Sequence, residues 1–398
     1  MIWDEIEGFL YNGLRLDSSH NGDVYVVKLL IVGLGDVGGN VLEFLARTPG
    51  IPKLIAADMN EDVGIRKTNG VTLSAAQQEF YPTVEFAKID LNDIGETAEF
   101  LKNTEPELIF NSATLQSWSA LALLPSDARA RLQGAGLGPW IPLHLALTLR
   151  LMKALKNSGI DAHVVSAPYP DVANPILGKL GLAPTVGMGN VDLLIPKIKL
   201  MVSKELKIPM RNVSVFMIAH HSLVASLSPG GNVSGSPYFM RILVGDKDIT
   251  GKFNSDELLR QIAALPLPPP AGRNQMIASS AVKNILAILN DTGELTHAPG
   301  PAGLPGGYPV RLSAKGAEVV LPDGMTMDQA IKMNEEAQRY DGIEEIRDDG
   351  TVVFTEKSSS IMKETLGYDC EKMSPSDCEK RARELGSLFK AFVGKFQK

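Results

Sequence analysis

The sequence predicts an α/β fold in which an N-terminal doubly wound parallel sheet is followed by an α+β domain. Short apolar segments alternate with longer segments of helical spacing over residues 26–172, as in a parallel sheet covered by helices on both faces. A glycine-rich turn joins the first predicted strand to the first helix. With 398 residues, the chain is also longer than most single domains, and loops rich in proline and glycine appear after residue 172.

The first domain, residues 26–172, begins with the run VVKLLIVG at 26–33. This run is continuously apolar or β-branched apart from one lysine, which is typical of a strand buried on both faces. The segment GLGDVGGNVLEFLARTPG follows as a helix, and Pro49-Gly50 ends it. Later strands are predicted at 53–58, 107–113 and 163–168.

The second domain, residues 173–398, is predicted from mixed elements. A helix is expected near 194–206, a strand at 212–219 and a helix over 279–293. A further helix should begin at Thr326, because Thr326 and Gln329 have the spacing of a capping box. Residues 1–25 form an N-terminal extension, and the role of residues 340–398 stays open.

Composition excludes several classes of protein. A net charge of −7 and a pI near 5.5 leave no basic excess, so we expect no nucleic-acid partner. No apolar run has the length of a membrane span, and the N-terminal residues lack the pattern of a signal peptide. The only cysteines are Cys370 and Cys378, which suits a reducing compartment and a cytoplasmic location and provides no cysteine metal site.

The glycine-rich turn has the features of a dinucleotide-binding Rossmann fold. Gly33, Gly35 and Gly38 give G-x-G-x-x-G between a strand and a helix, where backbone N–H groups bind a pyrophosphate. Asp58 ends the second strand, where a carboxylate accepts hydrogen bonds from ribose hydroxyls and repels a 2′-phosphate; NAD is therefore the expected cofactor. Arg66 and Lys67 lie close enough in sequence to weaken that preference. The full set expected at NAD is Gly33, Gly35, Asp36, Val37, Gly38, Asp58, Asn111 and Ser166.

Two adjacent histidines, His220 and His221, end the apolar run FMIAHH in a chain with 6 histidines. Neighbouring side chains of an extended segment point to opposite faces, so at most one of the two can face a given site. The alternative is a pair of half-buried, hydrogen-bonded histidines at a strand end.

Residues 163–222 resemble the central segment of the lactate/malate dehydrogenases. In that family a strand ends in Ser-Asn-Pro, a helix starts at Asn-Leu-Asp, and a later strand ends in Gly-Glu-His-Gly. The corresponding segments here are Ser166-Ala167-Pro168, Asn190-Val191-Asp192 and Ala219-His220-His221-Ser222. The resemblance spans roughly residues 26–335. It implies an NAD-dependent dehydrogenase acting on a hydroxy or keto compound, with residues 173–398 as the substrate and oligomerisation domain of a dimer or tetramer.

The resemblance also implies roles for two residues. His221 matches the proton-exchanging histidine, and Asp192 matches the carboxylate that orients it, while His220 should face away. The family's substrate-binding arginine and asparagine are replaced by Ile195 and Ala167, which predicts a substrate other than lactate or malate.

The predicted pocket is therefore larger and less charged than in the family. Its apolar wall is expected from the loop around Trp118 and Trp140, and its polar contacts from Asn111, Ser112, Asn190, Asn274 or Gln275. Three cations are further candidates for the site: Lys197, Arg129 and Arg131, although the arginines also suit a solvated helix face.

Other functions remain open at this point. A non-catalytic NAD-binding regulator or scaffold would explain the missing arginine, and a saccharopine-like or opine-like dehydrogenase shares the glycine pattern. A metal-dependent NAD glycosidase is disfavoured because the cysteines lie far from the motifs. A short-chain reductase is disfavoured because the only Tyr-x-x-x-Lys spacing, Tyr368 to Lys372, is near the C-terminus.

Overall fold

The computed structural model describes residues 28–117, 119–227, 235–268 and 270–397. Its first unit is a six-stranded parallel sheet in the order β3-β2-β1-β4-β5-β6. The strands are β1 (Lys28–Val32), β2 (Lys53–Asp58), β3 (Thr83–Lys88), β4 (Leu108–Asn111), β5 (His163–Ser166) and β6 (Val186–Gly187). The helices are α1 (Asp36–Leu45), α2 (Glu61–Ala76), α3 (Ile94–Thr104), α4 (Ser126–Gln133), α5 (Ile141–Ser158) and α6 (Pro170–Lys179). The predicted doubly wound sheet is confirmed.

Both faces of β1 are covered, as its apolar sequence predicts. Leu30 and Val32 lie in one apolar core, with residues of α5, while Leu29 and Ile31 lie in another, with residues of α1. Burying an aliphatic side chain of this size contributes about 2 kcal/mol, so β1 is well suited to the centre of the sheet. The strand order reverses between β1 and β4, and the crevice at the carboxyl ends of these strands is where such sheets bind ligands.

The second unit is an antiparallel sheet in the order β10-β11-β7-β8-β9, with β12 paired to β11. Its strands are β7 (Val213–Ala219), β8 (Tyr238–Val244), β9 (Lys247–Asp248), β10 (Leu295–Pro299), β11 (Gly307–Ser313) and β12 (Gly316–Val319). Its helices are α7 (Ile195–Leu206), α8 (His221–Ser226), α9 (Ser255–Ala263), α10 (Asn274–Leu289) and α11 (Met327–Gln338). The capping box at Thr326 and Gln329 is formed, and the predicted α/β fold class is confirmed.

Helix α10 connects the two units. Its Ala278, Ala281 and Ile285 are fully buried in the same core as Val41 of α1 and Val310 of β11. The second sheet is therefore packed against the first through a shared apolar core.

The C-terminal residues form a third sheet, β13 (Ile343–Ile346), β14 (Val352–Phe354) and β15 (Lys372–Met373), with helices α12 (Glu356–Leu366) and α13 (Cys378–Gly394). These elements share the apolar core on the α5 side of the first sheet. Phe389 of α13 packs edge-on against Trp140, with 5.2 Å between ring centroids. The last part of the chain thus returns to the first sheet. Within the described ranges, no helix is long and apolar enough to cross a membrane.

Candidate active site

Two glycines of the turn between β1 and α1 have no room for a side chain. Gly33 has a φ of +87°, and a Cβ there would lie 2.7 Å from the backbone nitrogen of Ala113. A Cβ on Gly38 would overlap the carbonyl oxygen of Gly33. At Gly35, by contrast, a Cβ would meet no atom within 4 Å. The open space beside Gly35 lies at the start of α1, so the residues present fit a dinucleotide pyrophosphate. Asp36 is exposed and Val37 half-buried in the first turn of that helix.

Asp58 lies at the end of β2, beside the same turn. Its Oδ2 accepts a hydrogen bond from the Leu34 N–H at 2.7 Å, and its Oδ1 accepts one from the Asn60 N–H at 2.9 Å. The Lys67 ammonium donates to the carbonyl oxygens of Leu34 and Gly35. Asp58 is only half-buried, and a carboxylate has about four lone-pair sites. It therefore holds the turn and keeps acceptor capacity for ribose hydroxyls.

Asn111 and Ser166, both expected at the cofactor, are fully buried at the ends of β4 and β5. Asn111 Nδ2 donates to Thr148 Oγ1 of α5 at 3.0 Å, so this amide already supports the sheet. Ser112 Oγ donates to the Gly33 carbonyl oxygen at 2.7 Å. Ser166 Oγ has no hydrogen-bond partner among the described residues. Of these three side chains, Ser166 alone keeps an unused polar atom.

His220 and His221 lie where β7 passes into α8. His220 is extended, with a φ of −93° and a ψ of 161°, and His221 is the first helical residue. Because the chain turns here, both imidazoles approach the carboxylate of Asp341, which corrects the expectation that His220 faces away. His221 Nδ1 lies 2.6 Å from Asp341 Oδ2, whereas His220 Nδ1 lies 4.0 Å from it and accepts from the Ser222 N–H. The His221 side chain is 18% exposed, and His220 is fully buried.

The Asp341 carboxylate accepts hydrogen bonds from three parts of the chain. Its Oδ2 accepts hydrogen bonds from His221 Nδ1 and from the Tyr169 hydroxyl, each at 2.6 Å. Its Oδ1 accepts from the Leu137 N–H at 3.0 Å. A second buried carboxylate, Asp171, accepts from the backbone N–H of His221 at 2.8 Å. Because a carboxylate only accepts, Nδ1 of His221 carries a hydrogen, and in the neutral ring Nε2 presents its lone pair.

The surrounding charges set the pKa of His221. Burial alone lowers this pKa, but attraction and hydrogen bonding to Asp341, with attraction to Asp171, outweigh burial and raise it above its ordinary value. Burial also opposes ionisation of Asp341, yet the imidazole holds the pKa of that carboxyl well below its usual range. Burial and both carboxylates raise the pKa of Tyr169, which stays a hydroxyl donor. The arrangement favours an imidazolium beside an ionised carboxylate.

His144 of α5 lies on the same tyrosine as His221. The ring centroids of His144 and His221 are 6.3 and 5.4 Å from that of Tyr169, both in edge-on geometry. His144 Nδ1 is 3.1 Å from Thr114 Oγ1, just beyond β4. Burial, together with repulsion from His221, lowers the pKa of His144 to about 4. In the cluster that the three histidines form with Tyr169, Asp171 and Asp341, His221 is therefore biased towards its charged form and His144 is held neutral.

Asp192 does not contact His221. Its Oδ1 accepts from Lys283 Nζ at 2.7 Å, and its Oδ2 accepts from Ser280 Oγ at 2.6 Å, both on α10. The expected His221–Asp192 pair is therefore replaced by two pairs, His221–Asp341 and Lys283–Asp192. The physical reason is that each carboxylate is already satisfied by a nearer partner, a helix lysine in one case and the histidine in the other.

The other residues expected at the substrate are dispersed. Asn190 lies at the cluster, where its amide donates to Asp171 Oδ2. Ile195 opens α7 and is 8% exposed in the apolar core of the second sheet, so it places no polar group at the cluster. Ala167 follows β5 and is half-buried against the core shared by the two sheets. Lys197 is half-buried, and burial, with repulsion from Arg273, lowers its pKa.

The substrate residues expected from α10 and from the loop after β4 have other surroundings. Asn274 is buried at the start of α10, and Gln275 lines a groove beside Gly35 and Lys67. Trp140 is 1% exposed in the core, so it is not the pocket wall that the sequence predicted. Trp118 lies outside the described residues. Arg129 is half-buried and Arg131 exposed on α4.

Four residues of the cluster were missed by the sequence analysis: Tyr169, Asp171, His144 and Asp341. Tyr169 and Asp171 follow β5 directly, and that position at the carboxyl end of a parallel strand was an available signal. His144 lies within α5, and Asp341 lies outside the resemblance, so neither had a local signal. Within the part of the chain that the structure describes, no group of three or more His, Cys, Asp or Glu side chains could hold a metal ion.

No protein-family model matches this chain, and no curated protein matches its sequence. Solved structures do match it. Lactate dehydrogenase from Eimeria maxima with NADH and oxamate has a TM-score of 0.55 and 14% identity, covering 80% of this chain and 93% of that one. The minor L-lactate dehydrogenase from Enterococcus mundtii has a TM-score of 0.54 and 16% identity, covering 79% and 96%. Malate dehydrogenase from Plasmodium falciparum has a TM-score of 0.52 and 12% identity, covering 92% and 100%. The chain therefore has the fold of the lactate and malate dehydrogenases.

Proposed function

We propose that this protein is an NAD-dependent oxidoreductase that transfers a hydride between nicotinamide and a hydroxy or keto compound other than lactate or malate. The observation that carries the proposal is the hydrogen bond between His221 and Asp341, beside the residues that follow β4 and β5. A protein that only bound NAD would have no need of a histidine anchored in this way. The arrangement therefore favours an enzyme over a non-catalytic scaffold.

His221 would act as the general acid and base. Bound NAD would supply the hydride acceptor. As the hydride leaves the carbinol carbon, Nε2 of His221 takes the hydroxyl proton, and Asp341 stabilises the imidazolium that forms. In the opposite direction the imidazolium returns that proton to the carbonyl oxygen. Because Asp341 and Asp171 raise the pKa of His221, the imidazolium that carbonyl reduction needs persists to higher pH than it would in an unpaired histidine.

The comparison of His221→Asn with His220→Asn tests this assignment. Losing a positioned acid or base costs about 10²–10⁴ in rate while leaving cofactor affinity intact. We expect His221→Asn to lose NADH-dependent reduction in that range and to keep its Kd for NADH. His220→Asn serves as the neighbouring control, with thermal unfolding to verify its fold. Equal loss in the two variants would reject His221, and absence of turnover with any carbonyl compound would favour a scaffold.

Asp58 supports a preference for NAD over NADP. A charged hydrogen bond contributes about 1.5–3 kcal/mol, so Asp58→Ala should weaken NADH binding roughly tenfold to a hundredfold. Asp62→Ala is the control, because Asp62 pairs with Arg66 on the exposed surface. Calorimetry showing that the wild type binds NADPH as tightly as NADH would reject the preference.

Lactate and malate are disfavoured because the position of the family's arginine is Ile195, inside an apolar core. A substrate carboxylate needs a charged donor in bidentate geometry, and leaving it unpaired costs several kcal/mol. Steady-state assays of NADH oxidation with pyruvate and oxaloacetate test this point. A kcat/KM near 10⁵ M⁻¹s⁻¹, within the usual range for good substrates, would contradict it.

The proposal includes a homo-oligomer, a dimer or tetramer, by analogy with the resembling family. Light scattering at micromolar concentration should give a multiple of 42.9 kDa. A monomer under those conditions would remove this part of the proposal.

A further inference from the structure

We propose that His144 and Thr114 form a subsite for an uncharged hydroxyl group of the substrate, next to the carbon that exchanges the hydride. The inference rests on the proposed function and narrows the substrate class to α-hydroxyketones and the corresponding vicinal diols. It is carried by the juxtaposition of His144 and His221, whose rings both lie edge-on to Tyr169.

The surroundings of Thr114 assign the tautomer of His144. The Thr114 hydroxyl oxygen lies 3.1 Å from the Leu143 carbonyl oxygen, 3.2 Å from that of Gln116 and 3.1 Å from His144 Nδ1. Carbonyl oxygens only accept, and the hydroxyl has a single hydrogen to donate to one of them. The contact with the imidazole is then a hydrogen bond if Nδ1–H donates to Thr114. This assignment leaves Nε2 of His144 as an acceptor.

Nε2 of His144 is available to a ligand. It bonds to no described residue, and it is not among the buried polar atoms that are sealed from solvent. Nε2 of His221 has the same status, because Asp341 binds only Nδ1. Two imidazole nitrogens that no described residue binds, on rings that both contact Tyr169, suit two oxygens of one small molecule. The reacting oxygen would lie on His221, and the neighbouring hydroxyl would donate to His144.

The same geometry disfavours a carboxylate at this position. An acceptor nitrogen repels a carboxylate oxygen, and burial keeps His144 neutral because it lowers the pKa of the ring to about 4. Asp341 and Asp171 add negative charge to the cluster. A hydroxyl group, by contrast, satisfies Nε2 with one hydrogen bond and needs no counter-charge. The subsite thus explains how a dehydrogenase fold would work without the arginine.

Three small probes separate these chemistries. Hydroxyacetone and butan-2-one differ only in a hydroxyl against a methyl group, and pyruvate has a carboxylate at the same position. We expect the wild type to prefer hydroxyacetone over butan-2-one by roughly 10- to 100-fold in kcat/KM, mainly through KM. Pyruvate should be the poorest of the three. The same order should appear in equilibrium binding to the NADH complex, followed by NADH fluorescence.

The variant His144→Phe should bring the ratio of kcat/KM between hydroxyacetone and butan-2-one close to one. His144→Gln should retain part of the ratio, because its amide oxygen is an acceptor of similar reach. His163→Gln is the matched control: His163 is half-buried, and both of its ring nitrogens have partners, Thr185 and Ala314. If the role of His144 were purely structural, the variant would lower kcat/KM for hydroxyacetone and butan-2-one by the same factor.

Each outcome decides a different question. An unchanged ratio in His144→Phe, or equal binding of hydroxyacetone and butan-2-one by the wild type, would overturn the subsite while leaving the proposed function intact. Reduction of no carbonyl compound by the wild type would overturn the proposed function, and the binding ratio on the NADH complex would then decide about the subsite by itself.

Discussion

Replacing Asp341 with asparagine removes a negative charge 2.6 Å from His221 Nδ1 at almost constant side-chain size. An opposite charge this close shifts a pKa by about 1–3 units. The pKa of His221 should fall by that amount, equivalent to about 1.4–4 kcal/mol less stabilisation of the imidazolium. In serine proteases, the same change at a histidine-orienting aspartate costs about 10⁴ in kcat. We therefore expect Asp341→Asn to lower kcat for carbonyl reduction by about 10²–10⁴.

The pH profile of that reaction is the sharper assay. Under the proposed function, reduction needs protonated His221, so we expect activity to be lost as pH rises through the pKa of His221, which lies above its ordinary value in the wild type. In Asp341→Asn the loss should move to lower pH. Asp192→Asn is the matched control, because Asp192 is also a buried carboxylate but pairs with Lys283. A shifted profile in Asp192→Asn, or an unshifted one in a folded Asp341→Asn, would refute the reasoning.

Three other perturbations test the framework around the site. Gly35→Ala should keep the melting temperature of the wild type, because its Cβ meets no atom, but it should bind NADH more weakly in calorimetry. Gly38→Ala should have a lower melting temperature, because its Cβ overlaps backbone. Lys283→Met should lower the free energy of unfolding by about 1–3 kcal/mol, since the buried Asp192 carboxylate loses the ammonium and keeps only Ser280; urea titrations that match the wild type would contradict this. Stability should also fall between about pH 6.5 and 4. Burial lowers the pKa of His144 and His297 to about 4, so the unfolded chain binds protons in that window that the folded chain does not. Each histidine contributes up to about 3 kcal/mol to this loss, and an unchanged urea midpoint at pH 4.5 would argue against it.

The elements that could be predicted are those specified by local sequence. The run in β1 has too many apolar residues for any strand that is not covered on both faces, and the capping box at Thr326 depends on residues three apart. The sequence predicts α10 over 279–293, whereas the helix spans Asn274–Leu289. Its start has no side-chain cap, so the sequence has no marker there. Gly293 lies beyond the helix end, in the following turn, with a φ of +59°.

The site could be predicted only where a motif specified it. The glycine-rich turn and His221 follow strands whose ends are visible in the sequence. Asp341 is 120 positions from His221, and only the packing of the third sheet on the first brings the two together. Asp192 pairs instead with Lys283, whose ammonium is placed by a helix from another part of the chain. Such pairings are set by tertiary structure and have no period or spacing in the sequence.

The position of Asp341 also has a consequence for how the protein is made. Domains fold from the N-terminus while synthesis proceeds, and β12, the last strand of the second sheet, ends at Val319. A nascent chain that had reached that point would already contain the glycine-rich turn and His221. It would still lack the carboxylate that orients the imidazole, as well as the helix that covers Trp140. Under the proposed function, the dinucleotide site would thus be synthesised before the carboxylate that orients His221 for proton transfer.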